Sequence, residues 1–339
     1  MTTNVLPIVV IGGGAAGSMA ALRAGLNNDE VHLFTGSAKN KKKSRAQWVA
    51  KVENVPGLSG YKRGVSDPHR EALDEFKESD LGHNLHIHKG VGITLIKKLD
   101  DNLFELTDSK DEKHLAKYVI VATGVMDVQP EIDGDMKNIF PYANVQLVDY
   151  CIRCDGHRSY GKETAIIGEG NGAAWGAVML KERYEVPNMT ILTNGKEATW
   201  GSDVQELLEL YQIDVIADPI QSLIGNPRED LLEGAVLMSG ERVPFDFAFV
   251  SLGMLVYNEL VKDLGVEVDE RGFVVTNKSG ESSISNLYVA GDLRANTKKQ
   301  IYTAWDTAVD SADDINGKLR KEKRLELLKT KTKRRFSHV

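Results

Sequence analysis

Several short runs along this chain are apolar at nearly every position rather than at every second one. The clearest is Ile8-Val9-Val10-Ile11, and Val119-Ile120-Val121, Thr164-Ala165-Ile166-Ile167, Met189-Thr190-Ile191-Leu192 and Leu287-Tyr288-Val289 follow the same pattern. Runs without alternation suit strands buried on both faces, as in a parallel sheet covered by helices. An Ala-rich stretch follows the first run as far as Gly25 and predicts a helix, and Val31-His32-Leu33-Phe34 predicts the next strand. By contrast, Leu85-His86-Ile87-His88 alternates, which predicts a strand with both histidines on one face. Near the C-terminus Leu319, Arg320, Lys323, Leu327 and Leu328 recur at loosely helical spacing.

What joins these elements is more specific than the elements. Gly12-Gly13-Gly14-Ala15-Ala16-Gly17 lies between the first strand and its helix, a G-x-G-x-x-G turn in the context that gives it meaning. Gly12 permits the tight turn, Gly14 lets backbone N–H groups reach a pyrophosphate, and Gly17 allows helix and strand to pack closely. The strand Val31–Phe34 ends at Thr35 where an acidic residue ordinarily holds a ribose diol, so a hydroxyl makes part of that contact. The basic run from Lys39 to Arg45 is either solvated or near the adenylate half of a ligand. A second turn, Gly168-Glu169-Gly170-Asn171-Gly172-Ala173, has the G-x-G-x-x-A form with strand before and helix after. Its following strand ends at Thr193-Asn194-Gly195-Lys196, an edge with one lysine and no acid before Glu197. A 2′-phosphate needs cationic partners, so this edge states no clear nicotinamide preference. Ala122-Thr123-Gly124 and Ala290-Gly291-Asp292 end two further strands in small-residue turns where backbone passes close to a ligand.

At 339 residues the chain suits two domains. Its charged fraction of 27% is that of a globular enzyme, and no apolar run approaches the ~18 residues of a membrane span. No secretory signal is visible, which makes a reducing cytoplasm the expected compartment. The net charge of −7 divides into +8 for residues 318–339 and −15 for the rest. A basic helix folded onto its own acidic body accounts for that asymmetry, so neither nucleic acid nor membrane is expected as a partner.

Both cysteines of the chain lie in Tyr150-Cys151-Ile152-Arg153-Cys154-Asp155-Gly156-His157. With no other thiol to pair with, the two are placed to cycle between dithiol and disulfide. Structural zinc wants four ligands, and His157 alone lies near. Arg153 and Asp155 argue for a polar setting rather than for two inert core thiols. His157 is a candidate to tune a thiolate or cap a turn. His83, His86 and His88 suggest metal ligation less than a solvated strand face, since no carboxylate or thiol flanks them in sequence, and no metal site is expected. Trp175, Trp305 and Asp306 either cover a ligand or fill core.

In order along the chain, G-x-G-x-x-G, Ala-Thr-Gly, Cys-x-x-Cys-Asp-Gly, G-x-G-x-x-A and Ala-Gly-Asp resemble the low-molecular-weight thioredoxin reductases from about Val5 to Asn316. Val52-Glu53-Asn54-Val55-Pro56-Gly57 is similar to the family's Glu-Asn-Pro-Gly segment, Gln47 to its flavin-side glutamine, and Lys299-Gln300-Ile301 to its Arg-Gln-Ala. The resemblance implies an α/β protein of two Rossmann-like dinucleotide-binding domains, the second inserted into the first. An FAD-binding domain would span 1–125 and 246–317, an NAD(P)-like domain with the redox pair 126–245, and a basic tail 318–339. FAD would be held by Gly12, Gly14, Ala15, Ala16, Gly17, Thr35, Gln47, Asn54, Ala122, Thr123, Gly124, Gly291, Asp292, Lys299, Gln300 and Ile301. Gly168, Gly170, Asn171, Gly172 and Ala173 would form the second dinucleotide-like site. Cys154 would be the flavin's electron partner, Cys151 would attack an external disulfide, and Asp155 would move the proton.

Two departures qualify the expectation. The His-Arg-Arg cluster and downstream Arg that grip NADPH in the family are absent at Thr193–Lys196, and Arg45-Ala46 replaces the Gly-Gly before Gln47, with a short segment from there to Glu53. The Thr-Asn-Gly edge is more similar to relatives that dispense with NADPH, whether ferredoxin-linked, dithiol oxidases of the gliotoxin-oxidase type, or diflavin-linked with a second flavin in the inserted domain. The expectation is therefore an FAD-dependent disulfide oxidoreductase working without NADPH, as a homodimer, on a thioredoxin-like protein or a small dithiol, with ferredoxin as a further electron partner. A standard NADPH-dependent reductase and a non-catalytic flavin-binding redox sensor are the rival readings.

Overall fold

A computed structural model of the chain describes residues 5–37, 44–49, 51–100 and 102–336. The chain divides into two compact units. The first comprises Met1–Val49, Arg63–Val125 and Val256–Val339, and the second comprises residues 50–62 with Met126–Leu255.

At the centre of the first unit the strand Val5–Ile11 lies parallel to Val31–Phe34 on one side and to Lys113–Val121 on the other. Leu85–His88 adds to the outer side of Val31–Phe34, and Leu287–Val289 pairs in parallel with Lys113–Val121. The hairpin strands Ile93–Asp100 and Leu103–Asp108 extend the sheet antiparallel. The unbroken apolar run at Ile8–Ile11 has its cause in two cores. Ile8 and Val10 face one that includes Ala20, Ala24 and Leu33, while Val9 and Ile11 face another with Phe104, Leu106 and Val274. A polar residue at any of these positions would lose its water without gaining a partner.

Helix Ala15–Leu26 presents Ala16, Ala20 and Ala24 to the same core as Ala304, Ala308 and Ala312 of the long helix Ile301–Phe336. Side chains this small let the two helices approach closely. The expected boundary at 317/318 falls inside that one helix. Gly317 has open space around it, so it costs helix propensity, about 1 kcal/mol, but no packing. The basic tail does meet the acidic body: Arg320 donates to Asp29 Oδ1 at 2.8 Å and to the Asn27 carbonyl at 2.7 Å, and Lys318 pairs with Glu281 at 2.7 Å.

The second unit has a five-stranded parallel sheet in the order Asp214–Ile216, Met189–Leu192, Thr164–Ile167, Phe247–Val250, Val148–Asp149. An antiparallel meander of Ile220–Asn226, Leu231–Leu237 and Arg242–Val243 joins it. The main segment of this unit starts at Met126 and runs past the expected end at 245. Phe247–Val250 pairs residue for residue with Thr164–Ile167, so the unit runs on to Leu255. Residues 50–62, expected in the FAD-binding domain, group here because Glu53 pairs with His157 and Arg158. Among the described residues no helix is long and apolar enough to cross a membrane.

Candidate active site

In the first unit the predicted residues of the first glycine turn, Thr35, Ala122–Gly124 and Gly291 follow the carboxyl ends of parallel strands, where open α/β sheets bind ligands, whereas Asn54 falls in the second unit. Gly12 follows the first strand with φ +114°, and a Cβ there would lie 2.4 Å from the Ala122 carbonyl oxygen. A Cβ on Gly17 would lie 1.7 Å from the Gly12 oxygen, so glycine is required where helix crosses strand. Gly14 is different. It caps helix Ala15–Leu26 in an extended conformation, and nothing crowds the space its side chain would enter except Ala46 Cβ at 3.9 Å. The helix has neither a side-chain cap nor an acid in its first turn. Its leading N–H groups therefore present a positive end to an open cradle, which fits a dinucleotide pyrophosphate.

The flanking residues divide into those that frame this cradle and those already committed elsewhere. Thr35 lies against Gly13, and its hydroxyl accepts from Gly90 N at 3.0 Å and donates to the His88 carbonyl at 3.4 Å, which engages its one proton in the 88–90 turn. Thr123 donates to the Tyr257 carbonyl at 2.7 Å. Gly291 donates through its N–H to Thr307 Oγ1 at 3.0 Å and opens the turn that carries Asp292. Gln300 is buried just ahead of Ile301, where the long helix starts. Burial pushes the Lys299 ammonium down to about 8 against the attraction of Asp292 and Asp269. Its Nζ stands 3.8 Å above the Phe273 ring and donates to Thr297 Oγ1 at 3.0 Å.

Gln47 ends the turn Arg45–Gln47, but its side chain lies outside the described residues, as do Lys39–Lys43 of the basic loop. Trp305 donates to His69 Nε2 at 2.6 Å, while His69 Nδ1 bonds the Val65 carbonyl. Burial lowers the pKa of His69, and these partners hold it as the neutral Nδ1–H tautomer. Asp306 is exposed on the same helix as Trp305.

In the second unit Cys151 and Cys154 form a disulfide across the short helix Ile152–Asp155. Cys154 and Asp155 both donate backbone N–H groups to the Cys151 carbonyl at 2.9 Å, and Cys154 N–H also lies 3.2 Å from Cys151 Sγ. One helical turn thus sets the spacing of the two sulfurs. Around the pair stand Asp155, which was expected, and Asp149, which no motif signalled. Arg158 ties the setting together, 3.1 Å from Glu53 and 3.9 Å from Asp149. His157 also binds Glu53, at 3.1 Å, and is half exposed.

Burial is the main force holding both aspartates above the ordinary carboxylate range. Their mutual repulsion raises Asp149 further, while Arg158 pulls each back. Asp149 Oδ2 is buried without a hydrogen-bond partner. Burial thus favours the protonated form of both carboxyls, which flank the redox pair in sequence.

The second glycine turn contrasts with the first. Glu169 lies within it, its Oε1 paired with Lys196 at 2.9 Å and its Oε2 buried with no hydrogen-bond partner. Thr199 donates its N–H and hydroxyl to the Glu169 carbonyl at 2.7 and 3.1 Å, and Gly201 N–H reaches Asn171 Oδ1 at 3.1 Å. The segment 199–201 therefore folds over the turn, with Thr199 Oγ1 3.7 Å from where a Gly170 Cβ would stand. Trp175, on the helix that follows, is 45% exposed and so does not fill core.

The family model for pyridine nucleotide-disulphide oxidoreductases matches residues 6–312. A 34.2 kDa protein in the rubredoxin operon of Clostridium pasteurianum is 26% identical over 88% of this chain and 92% of its own length. The thioredoxin reductase of Mycoplasma genitalium is 25% identical over 92% of this chain and 96% of its own. Among solved structures, that of HlmI has the same fold, with a TM-score of 0.81 at 20% identity over 98% of both chains.

Proposed function

The chain belongs to the pyridine nucleotide-disulphide oxidoreductase family as a thioredoxin-reductase-like member, and from that premise we propose that it is an FAD-dependent disulfide oxidoreductase that does not use NADPH. Electrons pass in pairs between the flavin and Cys151–Cys154, and between that pair and an external thioredoxin-like protein or small dithiol. The observation that carries this reading is the contrast between the two glycine turns. Gly14 leaves an open, uncapped helix end for one dinucleotide. The helix end at the other turn is likewise uncapped, but the segment 199–201 hydrogen-bonds across that turn and the turn itself carries the Glu169 carboxylate, which disfavours a second pyrophosphate, of NADPH or of a further flavin.

FAD, when bound, supplies the two-electron carrier. Gly12, Gly14 and Gly17 would hold its pyrophosphate, and Asp292 and Lys299–Ile301 would make further contacts with it. In the reducing direction the Cys151 thiolate attacks one sulfur of the external disulfide, forming a mixed disulfide as one external thiolate leaves. Cys154 then attacks Cys151 Sγ, which closes the internal disulfide and releases the second thiolate. The two leaving thiolates take up two protons, a delivery this reading assigns to Asp155 with Asp149 as its neighbour. Oxidation of an external dithiol runs through the same steps reversed. A homodimer, with ferredoxin as a further electron partner, remains part of the proposal.

An anaerobic absorbance titration tests it. A dithiol should bleach the flavin in proportion to added thiol, and NADPH and NADH should leave it oxidised over the same interval. Rapid bleaching by NADPH would restore the standard reductase reading, and bleaching by no donor except dithionite would favour a redox sensor.

The aspartate pair makes a separate prediction. Asp155→Asn should slow reduction of a disulfide by pre-reduced enzyme by about 10²-fold, the size of a lost general acid. The wild-type rate should fall as pH rises and the aspartate pair gives up its protons, and the variant should show less of that fall. For stability the sign is as follows. A buried carboxyl with raised pKa binds more protons in the native than in the unfolded state, so stability falls as pH rises above the ordinary carboxylate range. Asp149→Asn should therefore raise Tm at pH 8 and change it little at pH 4. A Tm lowered equally at both would show that Asp149 is needed for packing instead.

A further inference from the structure

Histidines dispersed along the sequence converge at the edge of the first unit's sheet. Val31–Phe34 and the edge strand Leu85–His88 pair in parallel with His32 directly opposite His86. Neighbouring residues in register share a face, and the two imidazoles stack with centroids 4.5 Å apart and planes 19° apart. Glu30, two residues before His32, turns its carboxylate to the same place. Its Oε1 is 3.1 Å from His32 Nε2 and 3.9 Å from His86 Nε2. One ligand atom from each of the three residues lies within 4.8 Å of the others.

We propose that Glu30, His32 and His86 bind a divalent transition-metal ion of the Zn²⁺ class through one carboxylate oxygen and two imidazole nitrogens. Imidazole and carboxylate are the donors such ions prefer, and three protein ligands with water in the fourth position is a common arrangement. Metal–ligand bonds of about 2.0–2.1 Å in a tetrahedral site place donor atoms about 3.3 Å apart. The Glu30–His32 pair already meets this. Closing the remaining gaps requires movement of Glu30 and His86, whose side chains are 43% and 45% exposed and free to turn, while His32 stays fixed at 11%.

His32 is held by a second imidazole: its Nδ1 lies 3.0 Å from His88 Nε2. For His32 Nε2 to offer a lone pair, Nδ1 must carry the proton and donate it to His88, the outer contact that orients metal-binding histidines. His88 in turn stacks on Phe34 with centroids 4.1 Å apart, which anchors the array to the core. The ion would clamp the edge strand to its neighbour at a point where the sheet has no further strand to cover it.

A nearby set, Asp108, Glu112 and His114, also brings ligand atoms within 4.8 Å, but its key carboxylate is already saturated. Asp108 accepts from the N–H groups of Lys110 and Glu112 at 2.8 and 3.0 Å and from His114 Nε2 at 3.0 Å. His83 bonds the Asp80 carbonyl at 3.0 Å and stands apart from both sets. The sequence pointed to a solvated strand face because Glu30 and His32 sit more than fifty residues from His86.

The test uses the full-length protein with its disulfide oxidised, so that thiols do not compete for metal. Isothermal titration with ZnCl₂ should give one ion per chain and a higher Tm. His86→Gln, an exposed change on an edge strand, should abolish that binding, and Glu30→Gln should weaken it. His88→Gln should cost about 10–100-fold in affinity, as lost outer-shell partners do. His114→Gln should leave binding unchanged. Zinc binding that survives both His86→Gln and Glu30→Gln, or that is absent in wild type, would overturn the proposal. So would loss of binding in His114→Gln with retention in His86→Gln.

Discussion

Serine at position 154 should leave the flavin bound and cut dithiol turnover to background, a loss on the order of 10³-fold or more, as when a covalent nucleophile is removed. The dithiol carries the electron pair and gives it up by closing to the internal disulfide, and a hydroxyl cannot close that ring with Cys151. Cys151→Ser should cost as much as Cys154→Ser, and the double variant no more than either, because the sulfurs act as a unit. Little of this loss should come from instability. The disulfide spans a sequence separation of 3, and so short a loop removes much less unfolded-state entropy than the 15-residue loop worth about 3 kcal/mol. The glycine cradle lies in the other unit, so absorbance per chain should match wild type. The measurements are steady-state dithiol oxidation or disulfide reduction, flavin content and thermal unfolding. A serine variant with full flavin content and turnover comparable to wild type would take the pair out of the reaction.

What the sequence revealed and what it hid follow one physical distinction. Ile8–Ile11, Thr164–Ile167 and Met189–Leu192 were legible because a strand buried on both faces must be apolar at every position. The glycine turns were legible because a carbonyl 1.7 Å from a would-be Cβ admits no other residue. Both are local demands, written where they act. The domain limit was misread at 245 because Phe247–Val250 is as apolar as the strands of either sheet, and register alone assigns it to the second. Residues 50–62 join that unit through Glu53 contacts with His157 and Arg158, about a hundred residues away.

Asp149 was missed for a similar reason. A single acid on a two-residue strand looks solvated until folding buries it beside the redox turn. The signal available was its place two residues before Cys151, directly after an apolar valine. Thr35 was found in its expected position, but sequence could not show that Gly90 and His88 engage its hydroxyl. In the same way the composition change at 318 suggested a boundary, although a helix tolerates such a change without a break.

Gly14→Asp should give a folded, colourless protein, the most direct separation of cofactor binding from folding that the first unit offers. Gly14 is not required by backbone geometry, since its φ of −82° is open to any residue, and a new side chain would enter open space. Aspartate is a favoured N-cap whose carboxylate accepts from the first-turn N–H groups, which helix Ala15–Leu26 leaves without a side-chain cap. The flavin-free variant should therefore unfold at or slightly above the temperature of flavin-free wild type, cap and dipole together contributing roughly 1 kcal/mol. The same carboxylate occupies the positive helix end that a pyrophosphate needs, and opposes its charge. Like charges so placed cost several kcal/mol, and about 4 kcal/mol is roughly 10³-fold in affinity. Gly17→Val is the contrasting control, since its Cβ collides with the Gly12 carbonyl and should lower stability as well as flavin content. Reconstitution with FAD followed by desalting, absorbance and thermal melts distinguishes the two. Stoichiometric flavin in a folded Gly14→Asp protein would mean that the dinucleotide is held somewhere other than at this helix end.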